Sequence, residues 1–427
     1  MSLIDRDIAN TIVDPAAYAH WDRSHAAFSH LRKTAPLAVA EPDGFDPFWV
    51  VTRHADIKSV ELRNTEFHNE DRAAFLTNKA EDNLIKEMTG GYPHIARTLV
   101  NMDDPDHAKY RKLTQKWFMP KTLAAIQARI EKLAQETAER MFDAGDACDF
   151  AAEIGHHYPL KTIMSVLGVP GSEEARMLKL TQEFFGATDD EYGREADLAA
   201  NLDAGARAQA LQEAMQDIFA MFAPLVEQRR AEPKEDLITL LTHAMIDDAP
   251  IGDLERMSYF AIVATAGHDT TAATISSTIW ALAERPDLLR RVQDDPSLLR
   301  PLIDEATRWE TPVKHFMRTA TVDTEIDGTP IAAGDWLMLA YPSANRDEAV
   351  FEDPFTFDLN RPPSKHLAYG FGPHVCLGQH LARMEMKALW EALLPRLKTL
   401  ELEGTPTRAA ANFVSGPKSV PIRFTLH

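Results

Sequence analysis

Cysteine occurs twice in 427 residues, and Cys376 is the one whose surroundings could do chemistry. It follows Gly370, Gly372 and Pro373, residues that make tight turns and let backbone approach a bulky group closely. Gly378 then opens a pattern with apolar Leu381, Met384, Leu389 and Trp390, the spacing of an amphipathic helix. A thiol at the mouth of a helix meets unpaired N–H groups and the positive end of the dipole, which favour thiolate. Such a thiolate suits a nucleophile or a metal ligand, and a small buried core residue is an equal third reading. A hydrolase would also need a histidine and an oxyanion hole, and His374 is the one feature pointing that way.

A second stretch with chemical potential runs from Met257 to Ala283, where Asp269 is the only formal charge and His268 precedes it. Small hydroxyl residues make up its polar content, as expected of a helix buried on all sides. A lone carboxylate there is costly unless paired or used. Gly267 weakens the helix locally, and the Thr270 hydroxyl can turn away from the ladder. Two charged pairs complete the inventory. His107 and Arg111 lie four apart, Glu305 and Arg308 three apart, so each shares a helical face.

These residues need elements to hold them. Apolar periodicity predicts helices from Trp21 to about Lys33, His54 to Leu62, about Lys121 to Phe142, Tyr158 to Leu167, Glu173 to Phe185 and Leu198 to Arg230. Further helices are expected over Pro286 to Val292 and Leu298 to Trp309. In residues 101 to 118, Asp103 or Asp104 reads as the cap and Pro105 as the first turn of another. Strands are expected within Asp46 to Thr52, Arg318 to Asp323, Glu325 to Ile326, Asp335 to Leu339 and after Gly404. Asn64 to Val100 is weakly periodic and reads as a lid or a loop.

Gly370, Gly372, His374, Cys376 and Gly378 together resemble the haem-ligand loop of the cytochrome P-450 monooxygenases, in their soluble bacterial form. The resemblance spans about Trp21 to Phe424. It implies a mainly α fold with a smaller β-rich part (α+β), one unit over 1–427, with the β-rich part at about 35–62, 312–341 and the C-terminal strands. It implies heme b (iron protoporphyrin IX) between a long central helix and the ligand loop, with Cys376 as axial metal ligand, an arrangement that pushes electron density toward O–O cleavage. His107, Arg111, Arg318 and His374 would reach the propionates, while Ala266 and Gly378 would lie against the macrocycle. Asp269 and Thr270 would manage protons. Glu305 and Arg308, with Arg361, would lock the irregular meander before the ligand loop. Tyr369 stands where the family usually has Phe, and its hydroxyl needs a partner.

The implied reaction hydroxylates a small, apolar, uncharged substrate, a monoterpenoid or an alkyl-aromatic or cyclic hydrocarbon, with dioxygen and two electrons. The segments PVKHFMRTATVDTEIDG and YPSANRDEAVF look similar to a terpineol-hydroxylating branch. Candidate pocket residues are Ile262, Ala266, Val313, Phe413 and Val414, with Phe184. A peroxide-driven haem enzyme would share Cys376 with less need of Asp269 and Thr270, and a haem-based sensor would carry an output domain.

Bulk composition agrees with these expectations. With 45 basic and 65 acidic residues the formal net charge is −20, which argues against binding nucleic acid or an anionic membrane. MSLIDRDIAN is charged without an apolar run, so neither signal peptide nor membrane anchor is expected. Two cysteines, Cys148 and Cys376, give no disulfide framework and fit a reducing cytoplasm, and a monomer is expected. Without a nucleotide fingerprint, electrons are expected from another protein, and the resemblance implies a 2Fe–2S ferredoxin served by a flavin-dependent reductase. Lys109, Lys112, Lys116 and Arg383 are the candidate docking cations.

Overall fold

The computed structural model describes residues 2–185, 189, 204–362 and 365–427. Apolar runs account for its main sheet. Phe48–Val51 and Trp336–Ala340 are buried at every position, the pattern of strands covered on both faces. They pair in parallel, flanked by Leu37–Ala40 on one side and by His315–Ala320 and Phe67–His68 on the other, giving five strands. One face packs on residues of the first three helices, including Ile12, Tyr18, Phe28 and Leu31. The other packs on Ile57 and Val60 of helix His54–Leu62. A second sheet joins Leu397–Leu402, Pro421–Leu426 and Ala147–Asp149.

The largest core is helical, and Asp269–Glu284 runs through it with twelve buried residues. Its hydroxyls explain how a polar sequence stays dry. Thr270, Thr274 and Thr278 donate to carbonyls four residues back, at 2.8, 3.0 and 2.7 Å, which satisfies each without a distant partner. The single helix expected over Met257 to Ala283 is two, Asp253–Ala266 and Asp269–Glu284, interrupted at Gly267 and His268. A Cβ on Gly267 would stand 2.8 Å from the Ile163 side chain, so close helix contact requires glycine there.

Other boundaries moved for local reasons. Asn64 to Val100 contains helix Lys79–Met88, whose start the Asn78 side chain caps by accepting from Ala80 and Glu81 N–H. The next helix begins at Asp106, after Pro105. Asp103 does not cap it, because its carboxylate accepts instead from the N–H groups of Asn69 and Glu70. Residues 121–142 divide into Pro120–Leu123 and Gln127–Ala144. Among the described residues, no helix is long and apolar enough to cross a membrane.

Candidate active site

Two walls face each other across one internal cavity. Its floor is the loop before helix Gln379–Leu393. Gly372 (φ +68) turns the chain there, and a Cβ on it would meet the Glu61 carbonyl at 2.5 Å. The Cys376 N–H donates to the Tyr369 carbonyl at 2.8 Å, holding the thiol at the cavity surface. Burial pushes the Cys376 thiol up, opposed by the Gly378 N–H and the Arg111 and Arg383 guanidinium groups. The ceiling is the interrupted helix, which contributes Ile262, Ala266 and Thr270.

Between them lie two arginines without a salt bridge, although the Arg318 guanidinium opposes the upward push of burial on the Glu61 carboxyl. Helix Asp106–Gln115 presents His107 and Arg111 on one face, as their spacing requires. Arg111 donates to the Val375 carbonyl at 2.7 Å, and buried Arg318 donates to its neighbour's carbonyl at 2.8 Å. Neither makes an ion pair with a carboxylate among the described residues. His107 stacks on His374 with ring centroids 3.9 Å apart, and its buried Nε2 has no partner. Burial and the arginines push both rings below the usual histidine range, so both are neutral near pH 7. Two unpaired arginines beside an orphaned imidazole nitrogen are costly unless an anion joins them.

A family model described as Cytochrome P450 matches residues 16–424. The chain is 42% identical over 422 residues to cytochrome P450-terp of a Pseudomonas species, covering 99% of this chain and 98% of that one. It is 31% identical over 402 residues to linalool 8-monooxygenase of Pseudomonas putida, covering 93% and 95%. Its fold matches the crystal structure of CYP108D1 from Novosphingobium aromaticivorans with a TM-score of 0.92 at 41% identity, over 100% of both chains. The chain belongs to the cytochrome P450 family.

This P450 is a monooxygenase, and the family's cofactor is haem. The cradle fits that group: a thiol donor on the floor, two arginines that make no salt bridge, and a neutral histidine whose buried Nε2 has no partner. His374 is engaged by protein, with Nε2 3.1 Å from the Asn69 amide and the Leu99 carbonyl as a further acceptor. Tyr369 is pushed up to about 12 by burial, its hydroxyl meets Thr307, and the Arg383 guanidinium sits 4.4 Å over its ring.

Three expectations are corrected by this geometry, Phe413 and Val414 as pocket residues and Arg383 as a docking cation. Asp269 is not on the cavity wall. Its carboxyl lies behind it, 3.4 Å from His268 Nδ1, and burial pushes it up to about 7. Of the pocket residues, Ile262, Ala266 and Val313 line the cavity, but Phe413 and Val414 do not. Val414 bridges to Val313 from behind, and the Phe413 ring packs 5.2 Å from Phe75 and 5.5 Å from Phe316. Phe184 belongs to helix Glu174–Phe185, but its side chain lies outside the described residues. Arg383 is no docking cation, because its side chain is 12% exposed and pairs with Asp304 at 3.0 Å. Lys109 is paired with Asp247, while Lys112 and Lys116 remain exposed.

The meander residues converge. Glu305 accepts from Arg308 at 2.7 and 2.8 Å and from Arg361 at 3.1 Å, and Arg308 also donates to the Asn345 and Pro354 carbonyls. Several cavity residues were not anticipated: Leu99, Val100 and Phe316 on the walls, and Glu61 beside Arg318. Phe316 stood in the sequence three residues after Val313, the nearest thing to a signal.

Proposed function

We propose that this P450 hydroxylates a small apolar substrate, a terpenoid or a cyclic or alkyl-aromatic hydrocarbon, with dioxygen and two electrons from a 2Fe–2S ferredoxin served by a flavin-dependent reductase. The observation that carries the reading is the Cys376 thiol on the floor opposite Thr270 on the ceiling, with unpaired Arg111 and Arg318 between. Heme b, when bound through Cys376, supplies the oxygen-activating redox chemistry. Arg111 and Arg318 would hold its propionates, with His107 Nε2 as a further donor in the matching tautomer. Ile262, Ala266, Val313 and Phe316 present hydrocarbon to the substrate and exclude water. Beside the arginines that would hold the propionates and the acids Glu61 and Glu385, the lining is mostly apolar, which favours an uncharged ligand, and the relative named linalool 8-monooxygenase supports a terpenoid.

Thr270 donates its hydroxyl to the Ala266 carbonyl at 2.8 Å, so the oxygen keeps a lone pair toward the cavity. Asp269, protonated through burial up to about pH 7, is the acid behind it. This pairing favours dioxygen over a peroxide-driven reaction, which needs less proton delivery. The reduced carbon-monoxide difference spectrum tests the ligand: Cys376→Ser should lose the thiolate-type band and Cys148→Ser should keep it. Loss in Cys148→Ser alone would refute the assignment. Haem-band shifts on titration with terpenes and alkyl-aromatics then select the substrate.

A further inference from the structure

His268 fills the helix interruption and has no exposed surface. Its Nε2 lies 2.8 Å from the His156 carbonyl, an acceptor with no hydrogen to give. Nε2 therefore carries the ring hydrogen, and Nδ1 of the neutral ring has a bare lone pair. That lone pair faces the Thr181 hydroxyl oxygen at 2.8 Å and the Asp269 carboxyl oxygen Oδ1 at 3.4 Å. Thr181 has one hydrogen and a second acceptor, the Leu178 carbonyl at 3.0 Å. An ionised Asp269 would set two acceptors against each other in a dry site, unless Thr181 turns its hydrogen to Nδ1.

We propose that His268 is the positioning residue for the acid proton of Asp269: its Nδ1 accepts that proton, and the Thr181 hydroxyl takes the proton's place when it leaves. In the resting arrangement Asp269 O–H points to Nδ1 and Thr181 O–H to the Leu178 carbonyl. When the proton moves toward Thr270, the carboxylate keeps its electron pair and Thr181 rotates its hydrogen onto Nδ1. A proton from solvent water restores the acid and returns Thr181 to Leu178. No ring nitrogen is left bare in either state, and no heavy atom needs to travel far. The ring nitrogen thereby keeps a donor on both sides of the transfer, while the buried Asp269 Oδ2 has no hydrogen-bond partner.

The groups facing this pair are few. At the start of helix His157–Leu167 stand the capping position His156, pushed down to about 4 by burial, and His157, whose Nδ1 lies 2.9 Å from Glu174 Oε1. Helix Glu174–Phe185 contributes the uncharged Thr181. The ligand atoms of His156, His268 and Asp269 lie within 4.8 Å of one another, as a metal site would require. A cation on Nδ1 would have to displace the Thr181 hydroxyl, whereas a proton exchanges with it.

The inference rests on Asp269 as the acid of the reaction, and the two fail separately. Infrared difference spectra of the resting ferric holoenzyme, titrated across neutrality, report the Asp269 carboxyl stretch, assigned by its loss in Asp269→Asn. His268→Phe removes the acceptor, so the midpoint should fall by at least about one pH unit, a tenfold change in acidity. Thr181→Val leaves Nδ1 bare beside the carboxylate, so the midpoint should rise by a similar amount, and Thr181→Ser should restore it. A disturbance that merely admits water would move both variants downward. Midpoints that stay put, or move the same way in both, overturn the inference whatever Asp269→Asn does to turnover. Unchanged turnover in Asp269→Asn, with the opposite shifts present, would instead remove Asp269 as the acid.

Discussion

Glu305→Gln removes one negative charge from a heavily engaged buried carboxylate that ties down the meander before the ligand loop. Glu305 is 4% exposed and accepts four hydrogen bonds, two from Arg308, one from Arg361 and one from the Asp358 N–H. Arg308 is 2% exposed, so it cannot turn to water when its counter-charge goes. Breaking a buried pair by removing one partner costs about 3–5 kcal/mol, because the remaining charge stays buried without compensation. Unfolding entropy of about 2.1 cal/mol/K per residue over 427 residues amounts to about 0.9 kcal/mol/K, so Tm should fall by about 3–6 °C. Glu391→Gln is the control. It breaks the exposed Lys387 pair, worth about 0.3–0.5 kcal/mol, and should move Tm by under about 1 °C. Calorimetry of both variants against wild type measures the contrast. Equal Tm values for the two variants would refute the claim that the Glu305 cluster, rather than the surface pairs, holds the meander. The Soret absorbance at fixed haem should fall with Glu305→Gln below its new Tm, since the same cluster positions the loop of Cys376.

Thr270→Ala should bind substrate with unchanged affinity yet release more peroxide per product, read by oxygen and product stoichiometry. Asp269 adds a pH term to stability. Its carboxyl is raised to about 7 from an unfolded value near 4, so its contribution is fully present below about pH 4 and is lost as pH rises through about 7. Asp269→Asn should flatten that decline in urea midpoints, and an unaltered slope would contradict the burial of the group. Lys112→Glu with Lys116→Glu should slow electron transfer from the ferredoxin without changing substrate affinity, and added salt should slow the wild type. Equal rates at all salt concentrations would move the docking face elsewhere.

Local chemistry was readable where one residue type does one thing. The glycine-framed loop around Cys376, the hydroxyl-rich helix with its single acid, and the Glu305–Arg308 spacing all carry their meaning in a few adjacent positions. Helix His54–Leu62 and the strand at Phe48–Val51 were likewise set by their own apolar pattern. Long-range packing decided the rest. Nothing in the sequence around Asp103 says that its carboxylate will hold Asn69 and Glu70 instead of capping the next helix. Arg383 reads as a surface cation on an amphipathic helix until Asp304, seventy-nine residues away, occupies it. Phe413 and Val414 are apolar enough for a pocket, but a single β-bridge from Val414 to Val313 and the packing of the Phe413 ring on Phe75 keep them out of the cavity lining. Asp269 is the sharpest case. The sequence by itself determined that one acid would be buried there. Only the tertiary structure, by bringing Thr181 and the His156 carbonyl to His268, decided what that acid faces, because hydrogen-bond partners far apart in the chain are chosen by packing and not by spacing.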